Sequence, residues 1–182
     1  VETMREKQKR GSLLWVLDKT KTAMGARLLR SYVEQPLIDK AEIEKRQDAI
    51  AEINKHMITR EELREYLNPI YDLERLITRV TYMSANPRDL IAFKNSIGML
   101  PPVKSLLEDF HCELLTDVQE NMDALTELHE LIDRAILEEP PISVREGGLI
   151  KDGYNENVDK YRHAKTEGKT WLAELEAKER EK

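Results

Sequence analysis

Apolar residues recur every three or four positions along most of the chain, which is the spacing of amphipathic helices. Short patterns over Ser12–Asp18 and Thr22–Val33 are followed by helical patterns that begin near Asp39, Asp72 and the pair Asn86-Pro87. A polar cap residue before an apolar run, with proline in the first turn, is typical of a helix start. The pattern therefore predicts an all-α fold.

Two further patterns in the middle of the chain predict specific helix boundaries. The segment Thr59-Arg-Glu-Glu62 has the form of a capping box and predicts a helix from there to about Leu67. The segment from Leu114 to Leu137 has a long clean periodicity and predicts one continuous helix. Pro101-Pro102 breaks or restarts the helix that begins near Asn86. Pro140-Pro141 ends the helix that is predicted from Leu114 to Leu137.

The segment 142–154 differs from the rest because it holds three glycines and alternating apolar residues. This composition predicts an extended, turn-rich conformation. Asn155 then predicts the cap of a last helix, which runs to Lys182 with sparse apolar positions. We therefore expect a helical core domain over residues 1–154 and a long terminal helix over residues 155–182.

The charge changes along the chain, although the net charge is only −6. Residues 1–60 carry a net charge of +4, residues 61–140 carry −10 and residues 141–182 are neutral. A surface that follows DNA needs clustered Lys and Arg, and the acidic middle block does not supply it. The basic first 30 residues leave open an alternative function, an autonomous helical module that binds nucleic acid, although interleaved acids favour ordinary solubility charge.

Residues typical of catalytic or metal sites are scarce. The single Cys112 excludes a disulfide framework and a cysteine-rich zinc site, and its neighbour His111 points in another direction on a helix. Gly168-Lys-Thr170 resembles the end of a phosphate-binding loop, but His163 stands where that loop needs its first glycine. We expect no catalytic, cofactor-binding or metal-binding residue, and nucleotide hydrolysis by the Gly168 segment is the weakest alternative.

The sequence at the two ends of the chain bears on its cellular location and on whether it is part of a longer protein. Val1–Arg10 is almost entirely polar and predicts no signal peptide, and no apolar run approaches the roughly 18 residues of a membrane span. We therefore expect a soluble cytoplasmic protein. The first residue is Val1 and a charged helical pattern continues to Lys182 without a stop signal, so we interpret the chain as a piece of a longer protein.

Two long motifs carry a family resemblance. They comprise, in chain order, Gly11–Leu29 with Gln35–Leu37 and Arg46–Asp48, and Arg145–Asp159 with Trp171–Glu176 and Lys178–Glu181. Both resemble the core, or lever, domain of the bacterial DNA mismatch-repair MutS family, and the resemblance covers essentially the whole chain in order. Val158, where Leu is more usual in the family, is a conservative departure.

The resemblance implies an all-α domain that links other modules of a homodimeric DNA mismatch-repair protein. The parent would bind mismatched DNA through other domains and hydrolyse ATP with Mg²⁺ in a separate ATPase domain. The lever helix over residues 155–182 would lead toward a clamp domain that is missing here. The Phe-x-Glu mismatch-reading motif and a P-loop are absent, so the fragment is expected to be no enzyme. Its partners would be mismatched DNA and the second subunit through the parent, and other domains of the same chain, without a membrane.

The resemblance also marks positions in the first motif that we interpret as a structural joint. These positions are Asp18, Thr20, Thr22, Gly25 and Arg27. Thr22 is expected to cap the following helix and Gly25 to permit close helix packing. Arg27 is expected to pair with Asp18 or with a neighbouring domain.

The second motif is interpreted as another structural joint. Gly147, Gly148 and Gly153 are expected to supply backbone freedom, and Asn155 is expected to cap the lever helix. Neither set of positions is expected to be catalytic. A domain that is helical from end to end, with one long terminal helix, is suited to transmit rigid-body motion between its neighbours.

Overall fold

A computed structural model describes the backbone of residues 1–180 and their side chains, except those of residues 174, 175 and 177–179. The predicted end of the last helix at Lys182 lies outside the described residues. So does the side chain of Leu175, one of the sparse apolar positions of that helix.

The described chain is a succession of helices, which confirms the all-α prediction. Two short 3-10 turns, Leu107–Asp109 and Val144–Glu146, and one antiparallel β-bridge between Ile136 and Ile150 interrupt them. The helices are α1 (Leu13–Leu17), α2 (Ala23–Glu34), α3 (Lys40–Lys55), α4 (Met57–Leu67), α5 (Leu73–Thr81), α6 (Pro87–Ile97), α7 (Leu100–Leu106), α8 (Glu113–Asn121), α9 (Thr126–Ala135) and α10 (Glu156–Arg180).

Several helices start at the residues that the sequence pattern indicates. The Asp39 carboxylate accepts a hydrogen bond from the Glu42 amide at 3.1 Å at the start of α3. At α6, the Asn86 side chain accepts from the Asp89 amide at 2.9 Å, and the Asp89 carboxylate accepts from the Asn86 amide at 2.8 Å. These bonds satisfy amides that have no partner within the helix, so the helix starts are fixed locally.

The predicted capping box at Thr59–Glu62 is wrong, because α4 starts two residues earlier and Thr59 lies inside it. The Thr59 hydroxyl is buried and donates to the Asp109 carboxylate at 2.9 Å, so it joins α4 to the 3-10 turn after α7. At the junction of α3 and α4, the His56 ring packs edge-on against Phe110, with ring centroids 5.4 Å apart. Distant partners therefore decide this boundary.

The predicted continuous helix from Leu114 to Leu137 is also wrong, because residues 122–125 separate α8 from α9. Leu125 adopts a left-handed conformation with φ of 52°. The Asp123 carboxylate accepts from the Leu125 amide at 2.9 Å, and the Lys104 ammonium donates to the Met122 carbonyl at 2.6 Å. These bonds to side chains replace the helical bonds that the apolar pattern alone predicts.

Six of the buried hydrophobic side chains form two small clusters, one that includes a residue of α7 and one that packs against α6. One contains Val103, Leu107 and Phe110, and α3, α4 and α8 cover it with partly buried side chains. The other contains Ile132, Ala135 and Ile136, packed against α6 and the segment around Leu149 and Ile150. Short helices thus share two local cores rather than one large one.

The C-terminal end of α6 is the most completely enclosed part of the fold. Ile97 and Ser96 are both 0% exposed. The Ser96 hydroxyl donates to the Ala92 carbonyl at 2.7 Å and accepts from the Tyr71 amide at 3.0 Å. It therefore ties the turn before α5 to α6 and leaves its own polar atom satisfied.

We predict that Ile97→Ala lowers the free energy of unfolding by about 2–5 kcal/mol, because it leaves a cavity at a fully enclosed position. Urea denaturation followed by circular dichroism measures the change. Ile58→Ala is the matched control, because Ile58 is 79% exposed and its truncation is expected to change the free energy by less than about 0.5 kcal/mol. Equal losses in the two variants would contradict this description of the core.

Candidate functional site at two helix joints

The turn between α1 and α2 forms the first joint, around Asp18. The Lys9 ammonium donates to the Asp18 carboxylate at 2.7 Å, and the Thr20 hydroxyl donates to it at 2.7 Å. The hydrogen bond from Lys9, followed by that from Thr20, lowers the pKa of Asp18 below its ordinary value. Asp18 therefore holds the turn as a carboxylate.

Thr22 and Gly25 fix the start of α2. The Thr22 hydroxyl oxygen accepts a hydrogen bond from the Gly25 amide at 3.0 Å, as expected of a cap. A Cβ atom on Gly25 would lie 3.1 Å from that oxygen and 3.6 Å from the Cβ atom of Thr20. The close approach is thus to the turn that precedes α2, rather than to a second helix.

Arg27 joins α2 to α5. Its two terminal nitrogens donate to the two oxygens of Asp72, each at 2.7 Å, and its Nε donates to Glu74 at 3.0 Å. The bonds to Asp72, then those to Glu74, raise the pKa of Arg27, and the Arg27 guanidinium lowers the pKa of Asp72. The expected alternative of an Arg27–Asp18 pair is wrong, because Asp18 is engaged by Lys9.

Asp72 has a second function in the same joint. One of its oxygens also accepts from the Arg75 amide at 3.3 Å and caps α5. The sequence pattern indicated a cap at Asp72, but it gave no sign of the pair with Arg27, which is 45 residues away in the chain. A planar fork of two parallel bonds defines the relative orientation of α2 and α5 more sharply than a single contact would.

The second joint is the turn-rich segment before α10. Gly147, Gly148 and Gly153 have φ angles of 73°, 70° and 80°, in the left-handed region that strongly favours glycine. Around them, the Leu137 amide donates to the Leu149 carbonyl at 2.9 Å. The segment is thus folded back on the end of α9 and then turned sharply into α10.

Asn155 and two residues that the sequence reasoning missed attach α10 to this segment. The Asn155 side chain accepts hydrogen bonds from the amides of Asn157, at 3.0 Å, and Val158, at 3.2 Å. Asp159 accepts from the Gly153 amide at 2.9 Å, and Arg162 donates to the Ile150 carbonyl at 2.8 Å. Arg162 also pairs with Asp152. The spacing of three between Asp159 and Arg162 was the available signal.

Beyond this attachment, α10 presents apolar side chains to solvent. Tyr161, Trp171 and Leu172 are exposed, whereas Val158 near the joint is half-buried. Gly168, Lys169 and Thr170 lie within α10. They form a helix rather than a loop that could surround phosphates, so the reading as a phosphate-binding loop is wrong. An exposed apolar stripe on a long helix is typical of a surface that another element covers.

A further helix end is held by a side chain from outside its own helix. The Glu52 carboxylate of α3 accepts from the amides of His111 and Cys112, both at 2.8 Å, where α8 begins. The hydrogen bond with the Cys112 thiol and the two amide bonds lower the pKa of Glu52 to about 2. Burial, then the Glu52 carboxylate, raises the pKa of Cys112, which keeps the thiol protonated.

The described residues contain no group of three or more His, Cys, Asp or Glu side chains that could hold a metal ion. Within the same part of the chain, no helix combines the length and the apolar character needed to cross a membrane. The two joints consist of helix ends, ion pairs and turns, which position elements of the fold relative to one another.

The sequence matches one protein family over its full length. Residues 1–182 match MutS domain III, and the chain belongs to this family. The resemblance stated above from the two motifs is thereby confirmed.

Individual relatives lead to the same family. The chain is 67% identical over 180 residues to the DNA mismatch repair protein MutS of Lachnoclostridium phytofermentans. The aligned region covers 99% of this chain and 19% of that protein. It is 51% identical over 181 residues to the protein of the same name from Acetivibrio thermocellus, and that aligned region covers 100% of this chain and 21% of the relative. The chain therefore spans about a fifth of the length of the curated relatives that it matches.

We predict that Glu52→Gln is less stable than the wild type at neutral pH, because the amide offers one acceptor oxygen and no charge to the two amides of α8. A carboxylate whose pKa is lowered by folding stabilises the fold at pH values above its ordinary pKa of 4.5. This stabilisation is lost as the pH falls toward the lowered pKa of about 2. The difference in the free energy of unfolding between the two proteins should therefore shrink across that window. Urea denaturation at several pH values measures it.

The matched control for this prediction is Glu44→Gln, on the same helix. Glu44 makes a solvent-exposed pair with Lys40 at 3.5 Å. Such pairs contribute little to stability, so the control should follow the wild type at every pH. A Glu52→Gln difference that stays constant between pH 4.5 and pH 2 would contradict the assigned role of the carboxylate.

Proposed function

We propose that this chain is the linking domain of a DNA mismatch-repair protein and transmits motion between its DNA clamp and its ATPase domain. The observation that supports this most directly is α10, a long helix joined to the rest of the chain through a compact polar joint. Its 25 residues span about 37 Å at about 1.5 Å per residue. A continuous helix of this length is suited to carry a displacement from one end to the other.

The second joint provides a lever helix with a defined attachment. Arg162 binds the Ile150 carbonyl and pairs with Asp152 and Asp159, so one side chain connects α10 to the preceding segment at several points. The three glycines with positive φ turn the chain at this place. A stiff helix on a tightly bonded turn suits a hinge with discrete positions rather than a flexible tether.

The first joint, in the N-terminal part of the chain, supports the same function. Arg27 holds α2 against α5 through two parallel bonds to Asp72. The helices α1 and α5 carry exposed apolar side chains, including Trp15 and Ile77. We propose that other domains of the parent chain cover these side chains, so that Arg27 and its partners transmit contacts made there.

The remaining properties of the parent protein belong to this proposal as a whole. The parent would act as a homodimer that recognises mismatched DNA in the cytoplasm, and ATP and Mg²⁺ would bind to its ATPase domain. This chain would contribute no catalytic residue to that reaction. The exposed stripe of α10, with Tyr161, Trp171 and Leu172, would be covered by a returning helix of the same parent.

The alternative is an autonomous module that binds nucleic acid through its basic first 30 residues. Three of the basic side chains there already have carboxylate partners: Lys9 with Asp18, Arg27 with Asp72 and Glu74, and Arg30 with Glu34. Cations that are neutralised within the fold release fewer counterions from DNA. The geometry therefore favours the linking function over the alternative.

We predict that this chain alone does not retard homoduplex or mismatched DNA in a mobility-shift experiment at physiological salt. A protein that makes many phosphate contacts would bind both duplexes and would lose affinity steeply as salt is raised. Tight binding with that salt dependence, abolished by replacing Lys19 and Lys21 with Gln, would contradict the linking function and support the alternative.

We predict that Arg162→Ala in the full-length parent uncouples its domains. DNA binding without nucleotide and ATP hydrolysis without DNA should be retained, because Arg162 lies in neither of the proposed sites. ATP-driven release from mismatched DNA should slow by about tenfold, since a coupling free energy of about 1–3 kcal/mol is typical between linked sites. Stopped-flow fluorescence of labelled mismatched DNA measures the release.

Arg64→Ala is the matched control in the same protein, because Arg64 makes only an exposed pair with Glu61, at 3.5 Å. This variant should release DNA at the wild-type rate. Normal release by Arg162→Ala would contradict the transmission role of the second joint, and loss of basal hydrolysis would show that its effect is not one of coupling.

A further inference from the structure

The outer face of α9 carries an open groove of about 820 Å³ that the linking function does not use. Three leucines run along it at spacings of three residues, Leu125, Leu128 and Leu131. Leu128 is 37% exposed and Leu131 is 43% exposed, whereas Leu125 is half-buried. The opposite face of the helix is already occupied, because Ile132 and Ala135 pack in the second core cluster.

The groove exists because α8 and α9 are separate helices. Leu125 turns the chain in the left-handed conformation, so α9 starts in a new direction and its first turn is open to solvent. A single continuous helix would have extended the same apolar stripe along one straight line. The groove is therefore a product of the break that the apolar pattern did not predict.

The charges around the leucines select the kind of partner that fits. Glu127 and Glu130 line the groove and form no ion pair with any residue that the structure describes. Arg134 lies at the far end of the groove and is the only basic residue between Ser105 and Glu139. The groove is thus apolar along its floor, negative over most of its length and positive at one end.

A second apolar patch with glutamates, on α4, differs from the groove in having an arginine, Arg60, that lines it beside its glutamates and pairs with one of them. Met57 and Ile58 are exposed there beside Glu61 and Glu65. Glu61, however, is paired with Arg60 at 3.0 Å and with Arg64 at 3.5 Å. The charge of Glu61 is thus balanced within the fold, whereas Glu65 in the same patch forms no ion pair among the described residues. The patch therefore serves as a comparison that separates binding at α9 from general attraction to exposed glutamates.

We propose that the α9 groove binds a cationic amphipathic helix of a partner polypeptide. Apolar side chains of that helix, spaced by three and four residues, would pack among Leu125, Leu128 and Leu131. Its Lys or Arg side chains would lie over Glu127 and Glu130, and an acidic residue or its C-terminal carbonyls would face Arg134. This orientation follows because opposite charges must meet at both ends of the groove.

A helix is favoured over other partners by the form of the surface. Leu128 and Leu131 lie on α9, which has about three turns, and Leu125 is the residue that precedes it. A second helix can lie along such a ridge with its own side chains between those of the leucines. Nucleic acid is excluded as the occupant because its phosphates would meet the carboxylates of Glu127 and Glu130. The proposal does not depend on the linking function, since the hydrogen bonds and ion pairs described for the two joints do not involve Glu127, Glu130 or the leucines of the groove.

The test uses a fluorescein-labelled synthetic helical peptide of about four turns, with Leu at positions i, i+3 and i+7 and Lys on both flanks. Fluorescence anisotropy measures its affinity for the chain at low salt. The double variant Glu127→Gln and Glu130→Gln should bind it about fivefold more weakly, and Leu131→Ser about tenfold more weakly. The same peptide with Glu in place of Lys should bind only weakly.

The matched control is the double variant Glu61→Gln and Glu65→Gln on α4, which should bind the Lys peptide as the wild type does. Leu128→Ser provides a second groove variant, should Leu131→Ser change the circular dichroism spectrum. Equal binding of the Lys and Glu peptides, or equal losses in the α9 and α4 variants, would overturn the proposal. Sedimentation of the chain as a dimer that Leu131→Ser dissociates would assign the groove to a second copy and would also overturn it.

Discussion

The fold depends on satisfying the backbone amides at the starts of many short helices. A short helix leaves a large share of its backbone groups without internal partners, so its ends matter more than its interior propensity. In this chain, polar side chains supply those partners at α2, α3, α5 and α6. The two small cores can then pack helices whose directions are already defined.

The same polar groups also connect distant parts of the domain. Asp72 caps α5 and holds the Arg27 guanidinium, and Glu52 belongs to α3 while it binds the amides at the start of α8. Both carboxylates have a lowered pKa because they accept several hydrogen bonds as anions. Helix capping and tertiary structure are therefore carried by one set of interactions in this domain.

The part of the fold that could be predicted from sequence is the part that local contacts decide. Asp39 and Asn86 cap helices through amides three residues ahead, so their pattern alone was sufficient. The capping box at Thr59 was wrong because Asp109, 50 residues away, binds the Thr59 hydroxyl. The uninterrupted helix through Leu125 was wrong because Lys104 binds the Met122 carbonyl and Asp123 binds the Leu125 amide, which apolar periodicity does not reveal. The partners of Arg27 were missed for the same reason, since no local periodicity encodes a pair 45 residues apart.

The cap that α3 supplies to α8 has a consequence for the order of folding during synthesis. Cys112 follows Glu52 by 60 residues, and α8 has no capping side chain of its own. At roughly 5–20 residues per second, the start of α8 is made about 3–12 s after Glu52. The carboxylate that caps α8 is thus already in the nascent chain when the start of α8 is made, so α8 can be capped as soon as it meets α3.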